Sequence, residues 1–213
     1  QAVYGRNTEV IPNGINPPQT REANIIHSKY GLTKNGYLLF LARIVPEKGL
    51  HYLLKAFSKI ETGKKLVIAG NGTFTDGYVR EIKSLAKNDP RVVMTGFVQG
   101  AELDELYSNA YLYVLPSDAE GMPISLLEAM SYGCPCLVSD IPENVEVIRD
   151  YGFTFHKSNA ADLKSKLAVL LEKRPAQEDN EKARRYVLNR YNWDTVTEKT
   201  VQCYGSAVES KKV

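Results

Sequence analysis

Apolar runs of strand length alternate with amphipathic segments of helix length through most of this chain of 213 residues. The first pair is the run YLLFLAR at 37–43 and the segment LHYLLKAFSKI at 50–60. The later runs are 65–70, 91–96, 111–116, 135–139 and 152–156, and the segments that follow them are 78–88, 100–110, 123–133, 143–150 and 159–173. Nearly continuous apolar strands alternating with helices are typical of a parallel sheet covered on both faces. The pattern predicts a doubly wound α/β fold, whose strand-to-helix turns all lie on the carboxyl edge, where such sheets bind ligands.

The two ends of the chain do not follow this alternation. Residues 1–18 contain TEVIPNGINPP, which predicts a short strand, a turn at Asn13-Gly14 and a proline pair, so we interpret them as a linker or incoming strand. The tail from residue 178 onward indicates two helices with no strand between them. We therefore expect one domain at 19–190, followed by a final helix within 191–213.

Composition excludes several classes of protein. Hydrophobic residues make up 43% of the chain and charged residues 24%, which is ordinary for a globular protein. The formal net charge of +2 is too balanced to favour nucleic-acid binding through bulk electrostatics. We expect no membrane span, because no apolar run approaches ~18 residues, and no signal peptide.

The three cysteines do not predict a disulfide framework. Cys134, Cys136 and Cys203 cannot all pair, so a reducing, cytoplasmic compartment is the default expectation. The spacing of Cys134 and Cys136 is too tight for a zinc knuckle, and we interpret them as the start of a buried strand. No metal-ligand cluster, Ser-His-Asp order or Walker motif is visible, and the histidines are scattered, at His27, His51 and His156. We expect these histidines to be structural or exposed, and we expect no metal site.

The stretch EGMPISLLE places two carboxylates around the start of a helix. Pro123 suits the first position of a helix, and Gly121 permits close approach of the backbone to a ligand. The unpaired N–H groups of that helix start form a ready anion site. Glu128 can face back toward the same pocket and accept hydrogen bonds from the hydroxyls of a ribose, and Glu120 could do so for another sugar. The alternative is that both glutamates simply favour the N-terminal half of a helix.

Two cations stand at the end of another strand. Arg43 closes the run 37–43, and Lys48 lies just before the next helix, across a loop that contains proline. Arginine binds a phosphate in bidentate fashion and lysine binds it as a point charge, so the two could clamp a diphosphate. The alternative is a solvated loop in which Lys48 pairs with Glu47.

Glycines mark two further strand ends. Gly70 and Gly72 lack the third glycine and the acidic residue of a dinucleotide fingerprint, which disfavours a hydride-transferring enzyme, so they indicate only close ligand approach. At the next strand end, Gly96, Phe97 and Val98 are small and apolar and would suit a flat base. A plain turn before a helix is the alternative for these three residues.

These motifs together resemble the family 4 (group 1) retaining glycosyltransferases, which have the GT-B fold. The stretch EGMPISLLEAMSYGCPCLVSD resembles the E-x7-E signature of the family, and ARIVPEKGL resembles its Arg and Lys loop. Likewise, VIPNGI resembles the strand that joins its two domains, and GFV its base-binding turn. The match follows the family's order from about residue 9 to the final helices. It implies a Rossmann-like domain, the C-terminal and donor-binding half of a GT-B enzyme.

The resemblance implies a role for each motif. Arg43 and Lys48 would hold the donor diphosphate and stabilise the leaving nucleotide with no metal or other cofactor. Glu128 would bind the ribose, and Glu120 would contact the donor sugar; the catalytic set is thus Arg43, Lys48 and Glu120. Backbone groups of Gly121, Met122 and Ile124 would assist Glu120, whereas Pro123 has no N–H to offer. Gly96, Phe97 and Val98 would flank the base, and Gly70 is a further residue expected in the nucleotide-sugar site. Ala42 departs from the glycine that the family often has before its arginine.

The implied activity is transfer of a hexosyl group from a nucleotide diphosphate sugar to an acceptor hydroxyl, with retention of configuration. The N-terminal domain, with the acceptor site and an expected catalytic histidine, is absent, so this chain alone is expected to be inactive. Residues 191–213 would cross back to that domain, and membrane contact, if any, would lie there. The partners are therefore the donor and the missing domain. The alternatives are a sugar-nucleotide epimerase of the same architecture, for which no acid/base set is evident, and a non-catalytic binding module, which the intact charged residues disfavour.

Overall fold

The structure is a computed structural model that describes residues 8–72 and 76–209. Its strands are β1 (Tyr37–Leu41), β2 (Lys65–Ala69), β3 (Val92–Gly96), β4 (Leu112–Leu115), β5 (Cys136–Ser139) and β6 (Phe153–Phe155). Its helices are α1 (Ile25–Tyr30), α2 (Leu50–Phe57), α3 (Asp76–Lys87), α4 (Ala101–Asn109), α5 (Ile124–Ser131), α6 (Pro142–Ile148), α7 (Ala160–Glu172), α8 (Gln177–Arg190) and α9 (Trp193–Glu209). A 3-10 turn at Pro46–Lys48 precedes α2. Strand and helix alternate as the sequence pattern predicts.

The six strands form one parallel sheet in the order β3-β2-β1-β4-β5-β6. The chain builds outward from β1 to β3 and then returns to place β4 on the other side of β1. This is the Rossmann-like, doubly wound order, and it confirms the predicted fold class. The order reverses between β1 and β4, which opens a crevice there at the carboxyl edge.

Alternate strand residues build two cores. On one face, Leu39 and Tyr113 pack with α1, α4, α5, α6 and α8. On the other face, Leu38, Phe40 and Val114 pack with α2, α3 and α7. Because both faces are buried, the strands are apolar at nearly every position, and this is the signal that made them visible in the sequence.

Helix α1 was not predicted, since a six-residue helix with one buried side chain, Ile26, leaves no periodic pattern. Its start is held from far along the chain. Glu105 of α4 is almost fully buried, and one carboxylate oxygen accepts the N–H groups of Asn24 and Ile26, each at 3.0 Å. These bonds satisfy N–H groups that a helix start leaves free.

The strand predicted within residues 1–18 does not form in the described part of that segment. Residues 8–14 have no regular structure, and Ile15 makes a single bridge to Asn192. The proline pair that follows cannot donate the hydrogen bonds that a longer ladder requires. The segment nevertheless packs on the fold, with Gly14 against the Trp193 ring.

The tail consists of two helices, α8 and α9, as predicted. Helix α8 packs against α5, whereas α9 leaves apolar side chains in solvent. Trp193, Val201 and Tyr204 are 48%, 63% and 70% exposed, so α9 carries an apolar surface that the described residues do not cover. No described helix combines the length and the apolar composition that crossing a membrane requires.

Candidate active site at the carboxyl edge

The loops that follow β1 and β4 meet at the crevice. The backbone of Gly49 lies so close to Pro116 that a Cβ there would collide with the Pro116 carbonyl oxygen, and Gly49 has φ +65°. The N–H of Asp118 donates to the carbonyl of Glu47 at 2.8 Å. The fold therefore brings the Arg43–Lys48 loop and the Glu120 loop together, although more than 70 residues separate them in sequence.

Lys48 and Glu120 form a buried ion pair across this junction. Lys48 Nζ lies 2.6 Å from Glu120 Oε2, and the two side chains are 15% and 5% exposed. The hydroxyl of Ser117 donates to the other carboxylate oxygen of Glu120 at 2.6 Å. Lys48 thus pairs with Glu120 rather than with its neighbour Glu47, because the loop turns Lys48 inward and leaves Glu47 exposed.

Arg43 lies on the rim of a pocket of about 300 Å³ at the ends of β1, β2 and β3. Gly70, Asn71, Phe97 and Val98 line the same pocket. Phe97 is 69% exposed, so it presents an aromatic ring that the protein itself does not bury. Arg43 is exposed, and its guanidinium has no ion-pair partner among residues 8–72 and 76–209. The pocket therefore offers an apolar lining and an aromatic ring beside the positive charge of Arg43.

Two glycines with positive φ lie at the carboxyl ends of β2 and β3, and the first of them, Gly70, lines that pocket. Gly70 has φ +137°, and a Cβ there would collide with the carbonyl oxygen of Ala42. Gly96 has φ +75° and accepts the N–H of Gly70 at 2.8 Å. Both glycines are therefore required by the backbone itself, whatever ligand the pocket takes.

Glu128 contacts helix α4 rather than the loop that carries Glu120. The hydroxyl of Tyr107 donates to Glu128 Oε2 at 2.9 Å, and the carboxyl lines a groove of about 330 Å³ beside Pro17 and Pro18. Burial raises the pKa of Glu128, the Tyr107 hydrogen bond lowers it, and the charge of Asp104 raises it further. Burial also raises the pKa of Tyr107 itself, so its hydroxyl stays protonated and donates.

Helix α5 begins one residue later than the sequence indicates. Pro123 is the N-cap, with φ −78° and ψ 88°, and Ile124 is the first helical residue. The N-cap residue flanks the helix, so its backbone angles need not be helical. The backbone N–H groups of Gly121, Met122 and Ile124 have no hydrogen-bond acceptor in the described part of the chain.

The structure thus distributes the predicted residues over three places rather than one. Arg43, Gly70, Phe97 and Val98 line the apolar pocket, and Gly96 precedes Phe97 in the chain. The Lys48–Glu120 pair lies at the switch point, and Glu128 lines the groove beside α4. Sequence reasoning missed Tyr107 and Ser117, because each contacts its glutamate only after folding. Ser117 stands three residues before Glu120, which is the one signal that could have revealed it.

The histidines and cysteines stay outside this site. His51 contacts the Tyr78 hydroxyl at 2.9 Å, and exposed His156 contacts Asp140. Cys134 and Cys136 are buried at and before the start of β5, as expected. Within the described residues, no group of three or more His, Cys, Asp or Glu side chains could hold a metal ion.

Glu128→Gln is expected to raise the free energy of unfolding at pH 7. The raised pKa means that the folded state holds the Glu128 proton more tightly than the unfolded chain, whose value is near 4.5. Stability from this group is full below about pH 4.5 and is lost as the pH rises through the folded pKa. Glutamine keeps an acceptor for Tyr107 without the charge, so we expect a gain on the order of 0.5–1 kcal/mol, which allows for solvent screening.

Urea unfolding of both forms at pH 7 and pH 4 measures this difference. The gain should be present at pH 7 and absent at pH 4, where the carboxyl of Glu128 is protonated in both states. An equal gain at both pH values would contradict an origin in ionisation.

The chain is similar to known proteins in sequence and in fold. Residues 22–190 match the family model described as glycosyl transferases group 1. An uncharacterised glycosyltransferase of Methanocaldococcus jannaschii, MJ1607, is 32% identical over 94% of this chain and 54% of its own length. The sulfoquinovosyl transferase SQD2 of Arabidopsis thaliana is 29% identical over 91% of this chain and 38% of its own length. The chain therefore spans about half the length, or less, of these relatives.

Solved structures share the fold. Sucrose-phosphate synthase from Thermosynechococcus elongatus superposes with a TM-score of 0.83 and 21% identity, over 95% of this chain and 53% of its own. Anabaena Alr3699/HepE, solved in complex with UDP-glucose, superposes with a TM-score of 0.77 and 19% identity, over 85% and 52% of the two chains.

Proposed function

The chain belongs to the group 1 glycosyl transferases, and we propose that it is the donor-binding, C-terminal half of a GT-B enzyme that transfers a hexosyl group with retention of configuration. The observation that carries the proposal is the pairing of Lys48 with Glu120 at the switch point, beside the pocket that holds Arg43. One end of a nucleotide diphosphate sugar is flat and apolar, its middle is anionic, and its far end offers hydroxyls. The pocket with Phe97, the cations Arg43 and Lys48, and the carboxylates Glu120 and Glu128 supply groups that suit these three parts.

The base enters the pocket at the ends of β1 to β3 and stacks on the exposed ring of Phe97. Gly70 has no side chain and allows the base to lie close to the backbone, and Gly96 leads into the turn that carries Phe97. The ribose then faces Glu128, whose second carboxylate oxygen is free to accept from its hydroxyls, since Tyr107 occupies only Oε2. Anabaena Alr3699/HepE, which has a similar fold, was solved in complex with UDP-glucose, and we propose uridine as the base.

The diphosphate lies between Arg43 and Lys48. As the bond to the sugar breaks, negative charge grows on the leaving nucleotide. Arg43, Lys48 and the free N–H groups of Gly121, Met122 and Ile124 stabilise that charge. In this proposal the positive charges of the protein stabilise the leaving nucleotide, and no metal ion is needed.

Binding of the donor changes the partners of Lys48. Its three N–H donors allow it to contact the diphosphate and Glu120 together. Glu120 then also accepts hydrogen bonds from the hydroxyls of the donor sugar. These bonds hold the sugar ring in place for attack by the acceptor.

The acceptor site belongs to the rest of the protein in this proposal. The relatives are about twice as long as this chain, so a second domain would close over the donor, and the exposed apolar side of α9 would contact it. The chain alone then binds donor without transferring the sugar.

Calorimetric titration of the chain with UDP, GDP and ADP tests the proposal. We expect one saturable site for UDP, a weaker response to GDP and ADP, and competition between UDP and UDP-glucose. The same preference among the three nucleotides for a chain with Phe97→Ala, at unchanged affinity, would remove the base from the proposed pocket. Absence of binding by all three nucleotides at millimolar concentration would contradict a donor site in this chain.

A further inference from the structure

A row of buried polar side chains lies beneath the loop that carries Glu120. Ser117 follows β4, Ser139 ends β5, and Asn144 lies in the first turn of α6. All three are 0% exposed. Hydroxyl and amide groups lose their hydration when they are buried, so such a row has to be hydrogen-bonded to persist.

The hydrogen bonds of the row have fixed directions. The amide of Asn144 donates to the Ser139 hydroxyl at 3.0 Å and to the Ser139 carbonyl at 3.3 Å. The Ser139 hydroxyl donates to the carbonyl of Ser117, and the Ser117 hydroxyl donates to Glu120 Oε1 at 2.6 Å. A carbonyl and a carboxylate can only accept, so each hydroxyl has one possible direction.

The row cannot carry a proton to Glu120. Ser139 contacts the backbone of Ser117 rather than its hydroxyl, so the path of exchangeable protons is broken there. What the row does is hold the main chain of Ser117 in place, and with it the hydroxyl that meets Glu120.

One atom of the row has no partner. Asn144 Oδ1 is buried and accepts no hydrogen bond from the described residues. An unsatisfied buried acceptor costs stability that an apolar side chain of similar size would not. We therefore attribute the amide of Asn144 to the hydrogen bonds that it donates to Ser139, rather than to packing.

Among the described residues, Glu120 is hydrogen-bonded by Lys48 on Oε2 and by Ser117 on Oε1. In the proposed function, Lys48 shares its charge with the diphosphate once the donor binds. We propose that Ser117, fixed by Ser139 and Asn144, is the positioning residue that keeps Glu120 aimed at the donor sugar at that moment. This inference rests on the proposed function, and it adds that sugar recognition depends on β5 and α6, to which the proposed function assigns no contact with the donor.

The ratio of the dissociation constants for UDP and UDP-glucose isolates the sugar contact, because both ligands share the base, ribose and diphosphate. Calorimetry on the chain and its Ser117→Ala variant gives this ratio for each. We expect Ser117→Ala to leave UDP binding within about twofold and to lower the ratio about five- to tenfold, as loss of one hydrogen bond of ordinary net strength predicts. Ser139→Ala should shift the ratio in the same direction and by less.

Two further variants separate the possible failures. Glu120→Ala sets the full effect of the carboxylate on the ratio. Ser131→Ala is the matched control, since Ser131 is also buried and donates to a carbonyl, that of Glu128, without touching Glu120. Its ratio should equal that of the unmodified chain.

The outcomes are distinct. If Glu120→Ala lowers the ratio and Ser117→Ala does not, the positioning role is wrong and the proposed function stands. If Ser117→Ala weakens UDP and UDP-glucose equally and lowers the melting temperature, Ser117 is merely structural and the inference also fails. If Glu120→Ala leaves the ratio unchanged, the role of Glu120 in the proposed function is itself overturned.

Discussion

Arg43→Ala is expected to weaken the binding of UDP by about 10- to 100-fold, which corresponds to the loss of charged hydrogen bonds worth about 1.5–3 kcal/mol. The guanidinium is exposed beside the pocket and has no ion-pair partner in the described chain. Its removal therefore leaves no buried charge behind, and the melting temperature should stay the same. Calorimetric titration with UDP, together with thermal unfolding of the free chain, checks both parts.

The choice of Arg43 rather than Lys48 makes this result interpretable. Lys48→Ala would leave Glu120 buried without its cation, so a loss of binding could reflect a disturbed loop. Arg185→Ala is the control, because Arg185 is an exposed cation on α8, away from the carboxyl edge. Equal losses in Arg43→Ala and Arg185→Ala would mean that net charge, and not the proposed clamp, governs binding.

Gly70→Ala is expected to lower the free energy of unfolding by about 2–4 kcal/mol, one of the largest effects available to a single methyl group here. Its φ of +137° is rare for any residue with a Cβ, and the added methyl would meet the carbonyl oxygen of Ala42. Relief requires β1 and β2 to separate where the pocket begins. The same shift would displace Arg43, so UDP binding should weaken as well.

Gly63→Ala provides the comparison for this prediction. A Cβ at Gly63 meets nothing within 4 Å, and its backbone is not in the left-handed region. We expect its stability to change by less than about 1 kcal/mol. Urea unfolding of both variants measures the difference, and similar stabilities would show that the contact between Gly70 and Ala42 relaxes at no cost.

The fold was largely predictable because its information is local. Each strand is a short apolar run and each long helix has an amphipathic period, so the predicted bounds differ from the observed ones by one to three residues. The exceptions were α1 and the strand expected before residue 18. Helix α1 depends on Glu105, about 80 residues away, and the linker pairs with the tail through Ile15 alone. Neither contact leaves a trace in the neighbouring sequence.

The site was predictable in its residue types but not in its pairings. Arg43, Glu120 and Glu128 stand where the sequence places chemistry, at strand ends and at a helix start. The strand order brings distant segments together. This creates the contact of Lys48 with Glu120 and that of Tyr107 with Glu128. The burial of these partners, which sets the raised pKa of Glu128, is a property of the packed structure alone.

The strand order has a consequence for how such a protein could diversify. The pocket assigned to the base lies over β1, β2 and β3, whereas the groups assigned to the sugar hang from β4, β5 and the start of α6. The two sets lie on opposite halves of the sheet and share only the β1–β4 seam. Under the proposed function, substitutions in the first half would exchange one nucleotide for another while the second half kept its sugar, and the reverse would hold equally. A descendant would then change one half of its donor at a time.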